Sequence, residues 1–180
     1  MAEFVYVDNS NIFIEGKRAK AVESGLAMNI YDAMKNRILE QSYKIDFGKL
    51  HDLIAGANKS NIKRCMLFGS RPPSSDSIWD IAKKAGFEVI TEDRNVANKE
   101  KKIDTGIVAA MTKDAYTIVD KAKDTITLVA GDADFVPSVR MLVEDGFNVE
   151  VAFWGHAANE LQTTCSKFID LNQHLSHLSY

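Results

Sequence analysis

The chain has 180 residues and a formal net charge of −3 at pH 7, with 46% apolar and 26% charged residues. This length suits one domain with a full hydrophobic core, and the composition is ordinary for a globular protein. The apolar runs are too short to span a bilayer, which needs about 20 such residues, so no membrane partner is expected. The slightly acidic net charge does not predict a nucleic-acid-binding protein. A local strip of basic residues or bound cations would nevertheless make the electrostatic potential positive at a binding surface.

The two cysteines, Cys65 and Cys165, lie far apart and predict neither a disulfide framework nor a metal-ligand spacing. Such usage is typical of proteins in a reducing cytoplasm. The first residues, MAEFVYVDNS, lack the basic region of a signal peptide and have only a brief apolar run. We therefore expect a cytoplasmic location.

Five short apolar runs, rich in Val, Ile and Phe and bounded by turn residues, predict β-strands. Several of them are nearly continuous rather than alternating, which indicates strands covered on both faces. In chain order they are FVYVD (4–8), CMLFGS (65–70), FEVIT (87–91), ITLVAGD (126–132) and VEVAFW (149–154).

Helical patterns lie between these runs. Asp46 is expected to cap the first of them, Gly86 and Gly146 to follow the ends of two others, and Pro137 to lie in a first turn. The predicted helices are DFGKLHDLIAGAN (46–58), SDSIWDIAKKAG (75–86), IDTGIVAAMTKDAYTIVDKA (103–122), FVPSVRMLVEDG (135–146) and ANELQTTCSKFI (158–169).

The alternation of strands and helices predicts an α/β fold, with a mostly parallel central sheet of about five strands between two layers of helices. We expect residues 1–180 to form a single domain. One segment, at about 17–45, departs from the alternation, because apolar residues recur there every four positions from Val22 to Ile38. It is predicted to be a helical insertion that packs on the domain edge, covers the site as a lid, or forms a homodimer face.

Aspartates follow two of the predicted strands. Asp8 ends the first strand, and Asp132 and Asp134 follow the fourth. Ligands of open parallel sheets bind beyond the carboxyl ends of the strands, so these side chains meet if the two strands are neighbours. Asp104 is predicted to be a first-turn residue of its helix and to point to the same edge.

Carboxylates held together repel one another, by about 4 kcal/mol per pair near 4 Å at an intermediate dielectric. Protons or cations must neutralise them, and Mg²⁺ or Mn²⁺ is the natural partner of an all-oxygen site. Such a cluster suits metal-assisted hydrolysis of phosphodiesters. Each aspartate alone is also a good helix N-cap, but three unrelated caps at one sheet edge are a less economical explanation.

Several segments together resemble the NYN domain, the PIN-like nuclease family that includes LabA-type and limkain-type proteins. The segments are FVYVDNSNIF (4–13), KKIDTGIVAAM (101–111), LVAGDADFVPSVRMLVEDGFNVEVAF (128–153) and ANELQTTCSKFIDL (158–171). The resemblance runs from about Phe4 to Leu171, and the segment at about 17–45 is its least typical part.

The resemblance implies a compact three-layer PIN-like fold, bound Mg²⁺ or Mn²⁺, and ribonuclease activity on RNA. It assigns catalysis and metal binding to four aspartates, and contact with the substrate or its water to two neighbours of the first. The aspartates are Asp8, Asp104, Asp132 and Asp134, and the neighbours are Ser10 and Asn11. Many family members carry a further acidic residue where this chain has Ala110; Asp114, one turn later, is a candidate substitute.

A polyanionic substrate needs cationic side chains along its path. The connection EDRNVANKEKKID (92–104) and the end of the second strand supply candidates, and each phosphate neutralised there would add a salt-dependent increment to binding. The predicted substrate-binding residues are Arg71, Arg94, Lys99, Lys101 and Lys102. Lys17 and Arg18, which follow the first-strand loop, are further candidates. A lysine-rich loop that is simply solvated is an equally good explanation.

Two functions follow from these patterns. The first is a metal-dependent ribonuclease in which water attacks phosphorus, giving 5′-phosphate and 3′-hydroxyl ends. The second, motivated by Ala110, is a catalytically weak or inactive module that binds RNA or a protein partner. Cys165 with His156 suggests a thiol nucleophile, but Cys165 lies on an apolar stripe, so we expect a buried structural thiol.

Overall fold

A computed structural model of the chain describes residues 1–71, 77–93 and 99–180. Its six strands form one all-parallel sheet with the order β3-β2-β1-β4-β5-β6. The strands are Glu3–Asp8 (β1), Ile62–Arg71 (β2), Glu88–Asp93 (β3), Thr125–Val129 (β4), Asn148–Phe153 (β5) and Lys167–Asp170 (β6).

Helices cover both faces of this sheet. In chain order they are Asn9–Glu23 (α1), Ile30–Lys35 (α2), Phe47–Ala55 (α3), Ser77–Ala85 (α4), Lys99–Thr117 (α5), Val136–Glu144 (α6) and Asn159–Thr164 (α7). Apolar residues of α1, α3 and α4 pack on one face, together with the C-terminal residues 171–178. Those of α5, α6 and α7 pack on the other. The expected α/β sandwich of three layers is therefore confirmed.

The central strand β1 shows how the apolar runs produce the two cores. Successive side chains of a strand point to opposite faces, so Val5 and Val7 enter the core beneath α1 and α3, while Phe4 and Tyr6 enter the core beneath α5. All four are at most 2% exposed. A strand buried on both faces needs an uninterrupted apolar run, which FVYV supplies.

The expected helix ends are confirmed where local chemistry defines them. Asp46 caps α3 by accepting hydrogen bonds from the backbone N–H groups of Gly48 (2.8 Å) and Lys49 (3.1 Å). Pro137 lies in the first turn of α6, where its missing N–H is not needed. Gly146 follows α6 with a positive φ of 88°, as a helix-terminating glycine does.

The prediction of one helix over 158–169 was wrong in its second half. Helix α7 ends at Thr164, and Cys165 is already extended (φ −69°, ψ 160°). The next residues form β6, which pairs with β5 in the register Val151 to Phe168. The open edge of β5 offers backbone partners that an isolated helical pattern does not reveal, and this raises the sheet from the predicted five strands to six.

The segment at 17–45 contains the second half of α1, then α2 and its flanking turns. Gly25, with φ of 76°, lies just after the end of α1. Helix α2 packs beside α1 and buries Ala33. Four large apolar side chains of the segment are nevertheless exposed: Leu26, Met28, Tyr31 and Met34.

The order of the strands defines where a ligand would bind. The chain builds β1, β2 and β3 outward in one direction, then returns to the other side of β1 with β4. The switch point lies between β1 and β4, and in sheets of this order ligands bind there, beyond the carboxyl ends of the strands. Residues just after Asp8 and Val129 therefore surround the expected site. No helix among the described residues is long and apolar enough to cross a membrane.

Candidate functional site

A cleft of about 490 Å³ opens at the switch point. It is bordered by the ends of β1 and β4, by one face of α1 and by the first half of α5. The lining residues are Asp8, Ser10, Asn11, Ile14, Glu15, Arg18, Ile103, Asp104, Asp132 and Asp134. All four aspartates expected to meet at this sheet edge, together with Ser10 and Asn11, therefore line one cleft.

Asp8 is the most buried of these carboxylates, with 4% of its surface exposed. It ends β1 and caps α1, and its Oδ1 accepts hydrogen bonds from the Asn11 backbone N–H and the Ser10 hydroxyl, both at 3.1 Å. Burial raises the pKa of Asp8, and the negative charge of Asp132 raises it further, while the hydrogen bonds from Asn11 and Ser10 oppose the shift. An ionised Asp8 is therefore costly here unless a positive charge joins it.

Asn11 connects the two strand ends. Its side-chain Nδ2 donates to Oδ2 of Asp132 (2.8 Å), and its Oδ1 accepts from the backbone N–H of Gly131 (3.0 Å). A side chain from the first turn of α1 thus orients a carboxylate that lies more than a hundred residues further along the chain. Both hydrogen-bonding ends of the amide are used, which fixes its orientation.

Asp132 and Asp134 flank the turn that follows β4, and both are exposed. Asp132 precedes the short helical turn Ala133–Phe135 without making a side-chain cap bond, and α6 also lacks a side-chain cap. The capping explanation therefore does not account for this pair. The turn is tight because Phe135 is fully buried and because a Cβ on Gly131 would lie 2.1 Å from the Phe153 ring.

Asp104 lines the cleft from α5 and is half-buried. The expectation that it is a first-turn residue was wrong, because α5 begins at Lys99 and Asp104 is in its second turn. The residues KEKK upstream are strong helix formers and extend the helix towards its N-terminus. Asp104 is therefore held by a formed helix and does not cap it.

Asp114 does not substitute for the acidic residue missing at Ala110. Its buried carboxylate accepts hydrogen bonds from the Tyr6 hydroxyl (2.8 Å) and from Nε of Arg64 (3.2 Å), and it is not among the residues that line the cleft. Burial and the Asp114 carboxylate raise the pKa of Tyr6. Asp114 thus neutralises Arg64 at the edge of the second core.

The basic residues expected to bind substrate are only partly described. Lys102 is exposed on the second turn of α5. Arg71 ends β2, and Lys99 and Lys101 belong to the first turn of α5, but their side chains lie outside what the structure describes. Arg94 lies outside the described residues.

One wall of the cleft was predicted only at Arg18. Ile14, Glu15 and Arg18 lie on the same face of α1 as Asn11, at spacings of three, four and seven residues. That spacing would have found Ile14 and Glu15 once Asn11 was placed in the site. Trp154, in contrast, is fully buried outside the cleft lining, and its Nε1 donates to the carbonyl of Ile12 (2.9 Å).

The cysteines stay outside the cleft. Burial raises the pKa of Cys65 to about 12, which leaves its thiol neutral and unreactive. Cys165 is half-buried just after α7, its thiol lies 3.3 Å from the Gln162 carbonyl, and burial raises its pKa. His156 pairs with Glu15 at 2.7 Å and not with Cys165.

Comparison with known proteins identifies the family to which this architecture belongs. The NYN domain family model matches residues 4–172, nearly the whole chain. The chain belongs to the NYN domain family. This family has a PIN-like nuclease fold, which agrees with the parallel sheet and with the acidic cleft at its switch point.

One solved structure that resembles this NYN domain is the crystal structure of a protein of unknown function from Vibrio parahaemolyticus. The two share 15% sequence identity with a TM-score of 0.62, over 94% of this chain and 93% of the other. At this identity the likeness supports the fold alone. No curated protein matches the sequence significantly.

Proposed function

We propose that this NYN domain is a metal-dependent ribonuclease that hydrolyses RNA phosphodiester bonds, with Asp8, Asp104, Asp132 and Asp134 holding Mg²⁺ or Mn²⁺ directly or through water. The observation that carries the proposal is that these four carboxylates, from three separate parts of the chain, line one cleft at the switch point of the sheet. Membership of a family with a nuclease-like fold supports the same conclusion.

The start of α1 favours a cation over an anion in the cleft. In dinucleotide-binding proteins with this strand order, a glycine-rich turn exposes the first helix N-terminus to a pyrophosphate. Here the turn contains no glycine, and the Asp8 carboxylate accepts the hydrogen bond of the Asn11 N–H. Negative charge from the protein itself therefore lies where those proteins bind phosphate.

The donor set fits a sparsely coordinated ion. Among residues 1–71, 77–93 and 99–180, no group of three or more His, Cys, Asp or Glu side chains is arranged to hold a metal. Mg²⁺ usually keeps several waters and binds through one or two carboxylates together with substrate phosphates. The cleft suits that kind of site better than a closed cage of protein ligands, and Asp8 with Asp132 would be its nearest pair of ligands.

Such an ion would lower the pKa of a water molecule and neutralise phosphate charge. Asn11 holds the Asp132 carboxylate in one orientation, and Ser10 does the same for Asp8. In the reaction a water oxygen bonds to phosphorus, the bond from phosphorus to the 3′ oxygen breaks, and that oxygen takes up a proton. The products carry 5′-phosphate and 3′-hydroxyl ends because the bond to the 3′ oxygen is the one that breaks, and no 2′,3′-cyclic phosphate forms because the 2′-hydroxyl takes no part.

Replacing Asp132 with asparagine tests the proposal. Asp132→Asn removes a charge with little change in shape, and its amide oxygen can still accept the hydrogen bond from Asn11. We expect the rate of cleavage of a radiolabelled RNA panel in Mg²⁺ or Mn²⁺ to fall on the order of 100-fold or more, without a change in the circular dichroism spectrum. Asp80→Asn, an exposed aspartate on α4, is the matched control and should cleave normally.

Retention of full activity by Asp132→Asn, or by the wild type in excess EDTA, would contradict this mechanism. Identification of the new ends by ligation would test the attacking group independently. Ends that carry 2′,3′-cyclic phosphate would show that the 2′-hydroxyl attacks.

A second candidate function is an NYN module that binds RNA or a protein partner without cleavage. The observation that favours it is that Ala110 stands where many family members have an acid, while Asp114 points to Tyr6 and Arg64. Under this alternative the wild type would shift RNA on a native gel and release no fragments at any concentration of Mg²⁺ or Mn²⁺.

A further inference from the structure

One wall of the cleft carries an ion-pair network that the proposed reaction does not use. Glu15 accepts from Nη1 of Arg18 through Oε1, and its Oε2 lies 2.7 Å from Nε2 of His156. His156 comes from the loop after β5, so the network joins α1 to the far half of the sheet. All three side chains are at least three-quarters buried, with exposed fractions of 21% for Arg18 and 13% for each of the others.

The Arg18 guanidinium has donor capacity that the described protein does not use. Its Nε is buried, yet it donates to no acceptor in the part of the chain that the structure describes. A buried unsatisfied donor costs about 1–3 kcal/mol, and a bound ion or an ordered water is one way in which such a group is satisfied. Arginine presents its donors in a planar fork that matches the oxygens of a phosphate.

Arg18 is also the exception in the charge of the cleft. Five lining residues are acidic, namely Asp8, Glu15, Asp104, Asp132 and Asp134, and Arg18 is the basic one among the described lining residues. Ile14, which is exposed, lies between Asn11 and Arg18 and offers apolar surface. A polyanion that enters this cleft therefore meets one fixed cationic side chain on the α1 wall.

The position of Arg18 along α1 separates it from the carboxylates. It lies seven residues beyond Asn11, which is about 10 Å along a helix axis. A phosphate bound beside Asp8 and Asp132 is therefore too far from Arg18 to contact it as well. A neighbouring phosphate of the same strand is better placed for that contact.

We propose that Arg18 binds a phosphate that flanks the cleaved one, and that Glu15 and His156 are positioning residues that hold its guanidinium against the cleft wall. This inference depends on the proposed function for the identity of the ligand as RNA. It makes the substrate a polynucleotide with at least one phosphate beyond the scissile bond, in preference to a dinucleotide.

The first test measures binding without cleavage. A fluorescently labelled single-stranded RNA is titrated with the wild type, Arg18→Gln and Lys20→Gln in EDTA, and anisotropy is followed at several salt concentrations. Lys20 is the matched control, because it lies on the same helix, carries the same charge, pairs with Glu23 and does not line the cleft. We expect Arg18→Gln to bind about tenfold more weakly and to lower the slope of log K against log salt by about 0.7, and Lys20→Gln to change neither appreciably.

The second test changes the phosphates of the RNA. Methylphosphonate linkages, which are neutral, replace one phosphate at a time in the RNA, and cleavage in Mn²⁺ is followed for the wild type and Arg18→Gln. We expect one flanking position at which the substitution raises KM about tenfold for the wild type and not for Arg18→Gln, whereas kcat changes little. Glu15→Ala should also raise the KM for unmodified RNA, because the Arg18 guanidinium is then no longer held in position.

The outcomes separate this inference from the proposed function. A wild type that cleaves no RNA but binds it in an Arg18-dependent way would refute the nuclease and support the phosphate contact. A different result is loss of cleavage in Asp132→Asn while each methylphosphonate slows the wild type and Arg18→Gln equally. That result would support the nuclease and refute the contact between Arg18 and the flanking phosphate. Absence of RNA binding in EDTA, or equal weakening by the Arg18 and Lys20 variants, would also overturn it.

Discussion

Asp8 combines deep burial with negative charge, and the hydrogen bonds to its carboxylate come from two neighbouring residues, Ser10 and Asn11. Its pKa is raised above the ordinary value of 3.8, chiefly by burial. The stability that Asp8 contributes is therefore fully present below that value and is lost as the pH rises through its pKa in the folded protein. At neutral pH without divalent cations, the ionised carboxylate destabilises the fold.

Asp8→Asn should accordingly be more stable than the wild type at pH 7 in EDTA. Asparagine is an equally good N-cap and keeps an oxygen for the same two donors, but it carries no charge. We expect a higher melting temperature, with a gap of a few degrees that narrows as the pH is lowered towards 4, measured by differential scanning fluorimetry. A less stable variant at pH 7 would show that the negative charge is already compensated within the protein.

Addition of Mn²⁺ should make the wild type more stable than Asp8→Asn. An ion that binds only the folded state at 100 times its dissociation constant stabilises it by about 2.7 kcal/mol. The wild type should gain that stability, and Asp8→Asn should gain much less because it lacks one ligand. Equal gains in both proteins would exclude Asp8 from the ion's site.

Residue patterns in the sequence predicted the acidic wall of the cleft better than the basic one. A strand-end aspartate and a Gly-Asp turn are local signals, so Asp8 and Asp132 could be chosen without a structure. Arg18 was a candidate only because it follows the first-strand loop, since one arginine on a helix is ordinary until the neighbouring Asn11 is known to face a cleft. Asp114 likewise looked available until its partners Tyr6 and Arg64 were seen.

At the scale of elements, the turn after β4 depends on the close approach of Gly131 to β5. A methyl group there would lie 2.1 and 2.2 Å from two atoms of the Phe153 ring, which is itself packed in the core. No small adjustment of a flexible side-chain end relieves that contact. The aspartates of the turn are therefore held where they are by core packing beneath them.

Gly131→Ala should destabilise the protein by about 1–3 kcal/mol, as overpacking of a core does. The matched control is Gly106→Ala in α5, where the new methyl group would meet Phe68 at an ordinary 3.7 Å. Alanine is the better helix former, so this control should be neutral or up to about 1 kcal/mol more stable. Urea denaturation of both variants measures the difference, and similar stabilities would contradict the account of the turn.

The elements themselves were largely predictable, because five strands are continuous apolar runs and the major helices have clear apolar faces. Strand β6 was not, since its four residues are at most half-buried and exist as a strand only through pairing with β5. The start of α5 was also missed. Charged residues such as Lys99 and Glu100 extend the helix, but they carry no apolar periodicity from which its start could be predicted.

At the scale of the whole molecule, the segment at 17–45 leaves a set of apolar side chains exposed. Met28 is 86% exposed and Tyr31 is 79% exposed, with Leu26 and Met34 close by in the chain. Single exposed apolar residues are normal, but a group of them marks surfaces that meet another protein. A homodimer face is one of the three roles predicted for this segment.

We expect light scattering to give a mass of twice the 20.0 kDa of one chain at micromolar concentrations. The double substitution Met28→Ser with Tyr31→Ser should shift the protein towards the monomer, because it removes apolar area from the contact. Tyr180→Ser, at another exposed tyrosine, should leave the mass unchanged. A wild type that is monomeric over the whole concentration range would refute a homodimer through this segment.

The position of β1 also has a consequence for synthesis. It is the first strand of the sheet in chain order, yet it occupies the middle of the sheet, and its two neighbours follow only at Ile62–Arg71 and Thr125–Val129. During synthesis Asp8 is therefore made long before Asp132 and Asp134, the carboxylates with which it lines the cleft. The acidic cleft cannot form until both neighbours of β1 have left the ribosome, so a nascent chain that still lacks β4 holds no such cleft.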